Sequence, residues 1–179
     1  MSLQIETSRL FLAPFDPADI NRFIDLANDR QIAKMVMSLP HPYTNKHAQN
    51  WLAKQKSDND NANKRKDLYL FAIKDNDIGL IGMITLNRVN SGIFELGYWI
   101  GRDFWGKGFA SEAAKAVLQW AESQLRVKAV SAGYFDDNPA SARVLEKSGF
   151  LRTGVKTTKY SVGRKNTAKS IEMIWLGET

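Results

Sequence analysis

The chain has 179 residues, 44% hydrophobic and 25% charged, which is the composition of one soluble globular domain, 1–179, with a full core. The absence of cysteine excludes disulfides, a thiolate metal site and a cysteine nucleophile, and the two histidines, His41 and His47, lie too close together for an evident metal site, so no metal is expected. A formal charge of +6 suits an anionic ligand, but the basic residues are scattered and no nucleic-acid motif is present, so no nucleic-acid partner is expected.

The opening MSLQIETSRL lacks a signal-peptide pattern and no apolar run reaches transmembrane length, so the expectation is a cytoplasmic protein without membrane contact. Arg9 to Pro14 reads as the first strand. Asp16 then caps a helix with Pro17 at its first position, and Ile20, Phe23, Ile24 and Ala27 form its buried stripe. Ile32, Met35 and Val36 suggest a further short turn of helix. After the PHPYT loop, Thr44 caps a helix whose inner face is Ala48, Trp51 and Leu52. The polar stretch SDNDNAN and the cluster Lys64-Arg65-Lys66 read as a solvated loop. Three strands follow as a meander: Leu68 to Ile73, Leu80 to Leu86 and Ile93 to Ile100, with turn chemistry at Asp75 to Asp77 and at the NSG segment.

The next helix is the most strongly periodic in the chain. Ala110, Ala113, Ala114, Val117, Leu118 and Ala121 recur at helical spacing. Val127 to Gly133 reads as a strand beyond it. Asn138 caps a last helix with Pro139 in its first turn, and Gly149 ends it where positive φ is needed. Two strands, near Leu151 to Tyr160 and Ser170 to Leu176, finish the chain. The order predicts one mixed sheet with helices on both faces, in which a meander precedes a β-α-β crossover.

Between the strand Ile93 to Ile100 and the periodic helix stand three small residues at alternate positions, Gly106, Gly108 and Ala110. A glycine-rich turn that opens a helix gathers free backbone N–H groups and the positive end of the helix dipole, which makes an anion site suited to phosphate. A kinase-type P-loop is disfavoured, because no Lys-Ser/Thr follows these glycines at the required spacing.

Taken together, these residues resemble the GNAT superfamily of acyl-CoA-dependent N-acetyltransferases over nearly the whole chain. Trp105-Gly106-Lys107-Gly108-Phe109-Ala110 is similar to that family's pyrophosphate loop, with Trp105 at a position usually held by Gln or Arg. GYWIGRDFWGKGFASEA, NPASARVLEKSGF, the opening ETSRLFLAPF and the PYT loop resemble the RimJ/RimL-like branch, which acetylates ribosomal-protein N-termini. The resemblance implies a GNAT-like α/β (α+β) fold, a mixed and mostly antiparallel sheet of about seven strands. It implies acetyl-CoA as cosubstrate, without a metal, and a primary amine as acceptor, either a protein or peptide N-terminal α-amine or a small-molecule amine. A nucleotide- or acyl-CoA-binding module without turnover is the alternative from another class, and a monomer and a homodimer are both open.

The resemblance also distributes roles. Trp105, Gly106, Lys107, Gly108, Phe109 and Ala110 would bind the cofactor's pyrophosphate, with charge from Arg102 and Lys107. The pantetheine arm would lie along Tyr98, Trp99 and Ile100 between the fourth and fifth of the seven strands. Asn138 and Ser141 would meet it from the last helix, and Arg143 and Lys147, four apart on one face, are candidates for the 3′-phosphate. Glu95, a carboxylate on a strand flanked by apolar residues, is the first candidate for the base, ahead of Asp136 and His41, and borders the acceptor. Many relatives carry a tyrosine acid where this chain has Leu145, so Ser141 is the remaining hydroxyl for that task. Tyr43 in the PHPYT loop would border the acceptor. Without cysteine, the amine attacks directly within a ternary complex.

Overall fold

The computed structural model describes residues 3–60 and 67–178, with only the backbone described for 56–60. The Lys64-Arg65-Lys66 cluster lies outside the described residues. Eight strands form one sheet in the order β1-β2-β3-β4-β5-β6-β8-β7. They are β1 Ile5–Glu6, β2 Leu10–Ala13, β3 Leu68–Asp75, β4 Gly79–Asn90, β5 Ile93–Ile100, β6 Ala129–Phe135, β7 Leu151–Ser161 and β8 Asn166–Leu176. The eighth strand, beyond the seven read from the sequence, is β1, whose two residues are too short to show alternation. All pairings are antiparallel except β5 with β6.

The strands alternate between two cores, one on each face of the sheet. Phe71 and Ile73 of β3 point to one and Ala72 to the other. The first core also holds Phe94 and Leu96 of β5 and the inner faces of α4 (Phe109–Leu125) and α5 (Pro139–Lys147). The second packs α1 (Ile20–Ala27), α2 (Arg30–Met35) and α3 (Asn45–Asp60) against Leu80 and Met83 of β4. Period 2 in the strands and period 3.6 in the helices thus produce a three-layer molecule.

Local chemistry sets the element ends. Asp16 accepts from the Ala18 N–H and opens a 3₁₀ turn, Pro17–Asp19, rather than α1 itself. Asp19, at the position of a capping-box acid, is paired instead with Lys74 at 2.6 Å. Thr44 caps α3 through its carbonyl and hydroxyl. At the end of α4, Arg126 turns left-handed with φ 51°, so β6 starts at Ala129, two residues later than Val127. After α5, Gly149 at φ +92° lets the Phe150 N–H return to the Leu145 carbonyl at 3.0 Å. Among the described residues no helix is long and apolar enough to cross a membrane.

Candidate active site

The site starts with a fork in the sheet. Strands β5 and β6 pair over only three positions, Ile93 with Ala129, Phe94 with Val130 and Glu95 with Ser131. Beyond Glu95, β5 stays with β4 as far as Ile100, whereas β6 stays with β8 as far as Phe135. A cleft of about 930 Å³ opens between them. Because the Gly101 N–H is bonded to Ile81 on β4, alternation turns the N–H groups of Tyr98 and Ile100 towards the cleft.

One end of the cleft is the glycine turn. Gly106 and Gly108 both have positive φ, +75° and +82°, and a Cβ on Gly106 would meet nothing within 4 Å. Gly108 is the N-cap of α4 and supplies no side-chain cap, in contrast to Asp29 on α2 and Asn138 on α5. The first-turn N–H groups of a 17-residue helix therefore face an open cradle. Arg9, unnoticed in the sequence, fixes this turn. Its guanidinium pairs with Glu112 at 2.6 Å, donates to the Lys107 carbonyl at 2.9 Å and lies over the Phe109 ring. Burial raises the Glu112 carboxyl, but hydrogen bonds from Thr7 and Arg9 and the Arg9 charge outweigh it and hold its pKa below the ordinary value. Trp105 donates its indole N–H to the Ile100 carbonyl at 2.6 Å, which joins the turn to the end of β5.

The wall opposite is the start of α5. Asn138 Oδ1 accepts the Ser141 N–H at 3.3 Å, and the Ser141 hydroxyl meets the Tyr98 phenol at 2.7 Å. Burial pushes the Tyr98 phenol up to about 12, against a smaller opposing effect of the Ser141 bond. Arg143 and Lys147 line the same side.

Glu95 lies at the fork itself. Its carboxylate is 3.4 Å from Lys159 on β7, and Lys159 also pairs with Glu172 on β8 at 3.1 Å. Glu172 further accepts from Thr157 and Ser170, each at 2.8 Å. Burial raises the Glu172 carboxyl, but these two hydroxyls and Lys159 together hold its pKa below the ordinary value. Gly133 makes room for this group, because a Cβ there would stand 2.7 Å from Ser170 Oγ and 2.9 Å from Glu172 Oε2.

The remaining wall is apolar and comes from α2, the loop after it, α3 and β4, including Met35, Met37, Leu39, Tyr43, Trp51 and Met83. Burial pushes the Tyr43 phenol up to about 12, and its backbone N–H is held by Asn28 at 2.9 Å. Arg164, at the β7–β8 turn, straps the hairpin across this wall. It clasps Asp137 through two nitrogens, at 2.7 and 2.9 Å, and donates to the Lys34 carbonyl at 2.5 Å.

The fold thus brings Glu95, Tyr98, Trp99, Ile100, Trp105, Gly106, Gly108, Phe109, Ala110, Asn138, Ser141, Arg143, Lys147 and Tyr43 to one cleft. Four other candidates stand apart from it. The Lys107 ammonium lies over the Phe104 ring, at 5.5 Å, and outside the cleft lining. Arg102, its side chain more than half exposed, is paired at 2.9 Å with Asp29, the N-cap of α2, and does not line the cleft. His41 and Asp136 do not line the cleft. Among the described residues, no group of His, Cys, Asp and Glu could hold a metal ion.

A family description, the acetyltransferase (GNAT) domain, matches residues 9–151. The chain belongs to the GNAT acetyltransferases. It is 26% identical over 153 residues, 85% of each chain, to the uncharacterized N-acetyltransferase YnaD of Bacillus subtilis. Its fold is shared with the spermidine N-acetyltransferase of Vibrio cholerae, solved with CoA and spermine, at a TM-score of 0.76 and 22% identity over 95% of this chain and 96% of that one. It is shared equally with RimL, the ribosomal L7/L12 alpha-N-protein acetyltransferase, solved with CoA, at a TM-score of 0.81 and 12% identity over 97% and 98%. The GNAT match ends at Leu151, where β7 begins, so Lys159, Arg164 and Glu172 lie beyond it. The sequence carries no signal for Lys159, because in Thr157 to Ser161 the exposed Thr158 is as polar as the inward-facing residues and no alternation marks the inward face.

Proposed function

We propose that this GNAT enzyme transfers acetyl from acetyl-CoA to a protein or peptide N-terminal α-amine. The observation that carries the choice of acceptor is the charge of the cleft. Among its described lining residues Glu95 is the only carboxylate, Lys159 stands 3.4 Å from it, and Lys54 lines the same cleft. A polyamine carries several ammonium groups, each of which needs a partner when desolvated. A single α-amine needs one, and the peptide behind it fits an open, largely apolar wall. The α-amine also has a pKa of about 8, so roughly a tenth of it is already neutral at pH 7.

Acetyl-CoA supplies the acetyl group activated as a thioester. The N–H groups of the Gly106 to Ala110 turn suit its pyrophosphate, and Arg143 and Lys147 suit a further phosphate. The Tyr98 and Ile100 N–H groups orient the extended arm and offer a donor for the carbonyl oxygen. Glu95 takes the amine's proton, directly or through water. Ser141 donates to the sulfur. A thiol pKa near 8.5 makes that leaving group a fair one, so a modest donor suffices.

The deciding experiment offers acetyl-CoA to the purified protein with a panel of N-terminal peptides, spermidine and small primary amines. Free-thiol release is followed, and mass spectrometry locates the acetyl group. The expected product is a peptide acetylated on its α-nitrogen. Acetyl found on spermidine or another small amine in preference to peptides overturns the choice of acceptor. No thiol release with any amine overturns turnover itself.

A further inference from the structure

We infer that Tyr98 is a positioning residue that holds the Ser141 hydroxyl aimed at the departing sulfur. This rests on the donor reading above and assigns Tyr98 a task beyond lining the cleft. Tyr98 lies on the opposite face of β5 from Glu95, with its ring packed against the core beneath α4 and α5. Its hydroxyl reaches the first turn of α5, 2.7 Å from Ser141 Oγ and 3.4 Å from the Ser141 carbonyl. Ser141 is thus held at two points, its N–H by Asn138 and its hydroxyl by Tyr98. α5 is already capped by Asn138, so the phenol is not needed to start the helix.

The direction of the bond follows from acidity. A phenol is the more acidic hydroxyl and the better donor, so Tyr98 donates to Ser141 Oγ and leaves the serine proton free to point into the cleft. Such a chain polarises the serine O–H and strengthens its bond to a developing thiolate. Tyr98 does not give up its proton. Its phenol, at about 12, is a far weaker acid than a thiol near 8.5, so transfer would be uphill by roughly three to four powers of ten. The balance is then simple. The N–C bond forms, the C–S bond breaks with its electron pair on sulfur, the amine's proton leaves by way of Glu95, and the sulfur departs as a hydrogen-bonded thiolate.

The test reads the thiol rather than turnover. CoA is bound to wild type, Tyr98→Phe, Ser141→Ala and the double variant, and its thiol is titrated by thiolate ultraviolet absorbance. The bound thiol should ionise roughly three- to tenfold less readily in Tyr98→Phe than in wild type, as for loss of one hydrogen bond. The double variant should match Ser141→Ala, because Tyr98 acts through the serine. Initial rates should show kcat lowered roughly three- to tenfold in Tyr98→Phe, with KM for acetyl-CoA within about twofold of wild type. Equal thiol titration in wild type and Tyr98→Phe, or additive losses in the double variant, overturns the inference. Ser141→Ala separates the two failures: a bound thiol that titrates there as in wild type overturns the donor reading itself, whereas a change in Ser141→Ala with none in Tyr98→Phe overturns only the inference. Should Tyr98→Phe melt early, protein labelled with fluorotyrosine replaces it. Its more acidic phenol should ease ionisation of the bound thiol, and an unchanged titration overturns the inference.

Discussion

The Glu95 carboxylate stands 3.4 Å from the Lys159 ammonium, on strands that are not neighbours in the sheet. Strands β6 and β8 lie between them, and contact is made above the sheet at the fork. Lys159 is shared with Glu172, which does not line the cleft, so of the two carboxylates it bridges only Glu95 faces the acceptor.

Glu95→Gln should remove the acidic limb of the kcat/KM profile while leaving acetyl-CoA affinity within about twofold, because the carboxylate is lost without a change of shape. Lys159→Met should also lower kcat/KM for the peptide acceptor, because Glu95 and Glu172 lose the cation they share and with it the orientation of the Glu95 carboxylate. Initial rates across the acidic range, with a peptide acceptor, check both. A Glu95→Gln profile identical to wild type would place the base elsewhere.

Gly108→Glu should abolish acetyl-CoA binding, because it sets a carboxylate at the start of α4, where a Cβ would approach the Arg9 guanidinium at 3.5 Å, and that charge repels phosphate and pulls on the contact that fixes the turn. Gly108→Ala is the control. At φ +82° it costs about 1 kcal/mol of stability, with at most a partial loss of affinity. Calorimetry and thermal melting compare the two, and wild-type affinity in folded Gly108→Glu would remove the turn from the site.

Asn138→Ala should lose the cap of α5, about 0.5–2 kcal/mol and roughly 1–8 °C in Tm, and bind acetyl-CoA less tightly as well. Ser141→Ala should keep acetyl-CoA affinity and lower kcat instead, and because it leaves the buried Tyr98 hydroxyl without its 2.7 Å partner it should also cost about 1–3 kcal/mol of stability. Melting, cofactor affinity and kcat are measured on both. A thousandfold loss of turnover in Ser141→Ala would make that hydroxyl an indispensable acid.

Glu112 makes the molecule sensitive to acid at the same end of the cleft. Its pKa is lowered in the folded state, so its contribution is present above the unfolded carboxyl's pKa of about 4.3 and is lost as pH falls through the depressed folded value. Glu112→Gln should cost about 1 kcal/mol near neutral pH, about 2–4 °C in Tm, and the difference from wild type should shrink below pH ~4. Equal melting curves at neutral pH would show that the Arg9 contact is too solvated to matter.

Much of this was legible because it is local. Glycines at positive φ, the Asn138 cap and the helical spacing of Ala110 to Ala121 all act within a few residues, and the alternation in Ile93 to Ile100 matches β5 end for end. The charged partners were not. Arg9 meets Glu112 across 103 positions, and Lys159 meets Glu95 across 64. Such pairs are decided by which strands the sheet sets side by side, and no spacing rule reaches them. Arg102 and Lys107 show the converse. Their place beside the glycine turn suggests phosphate contacts, and the structure sets their side chains against Asp29 and the Phe104 ring, partners that spacing alone does not reveal.

The fork has a mechanical consequence. Three residue pairs are all that join β5 to β6 within the sheet, so its two halves are laced together over a short seam and gape over the rest. A ligand strand that bonds both lips would act as a zip, drawing β1 to β5 and β6 to β8 into one continuous fabric. Amide exchange would then slow along Tyr98 to Ile100 and along the far lip, and unfolding of the halves would become more concerted in the filled protein than in the empty one.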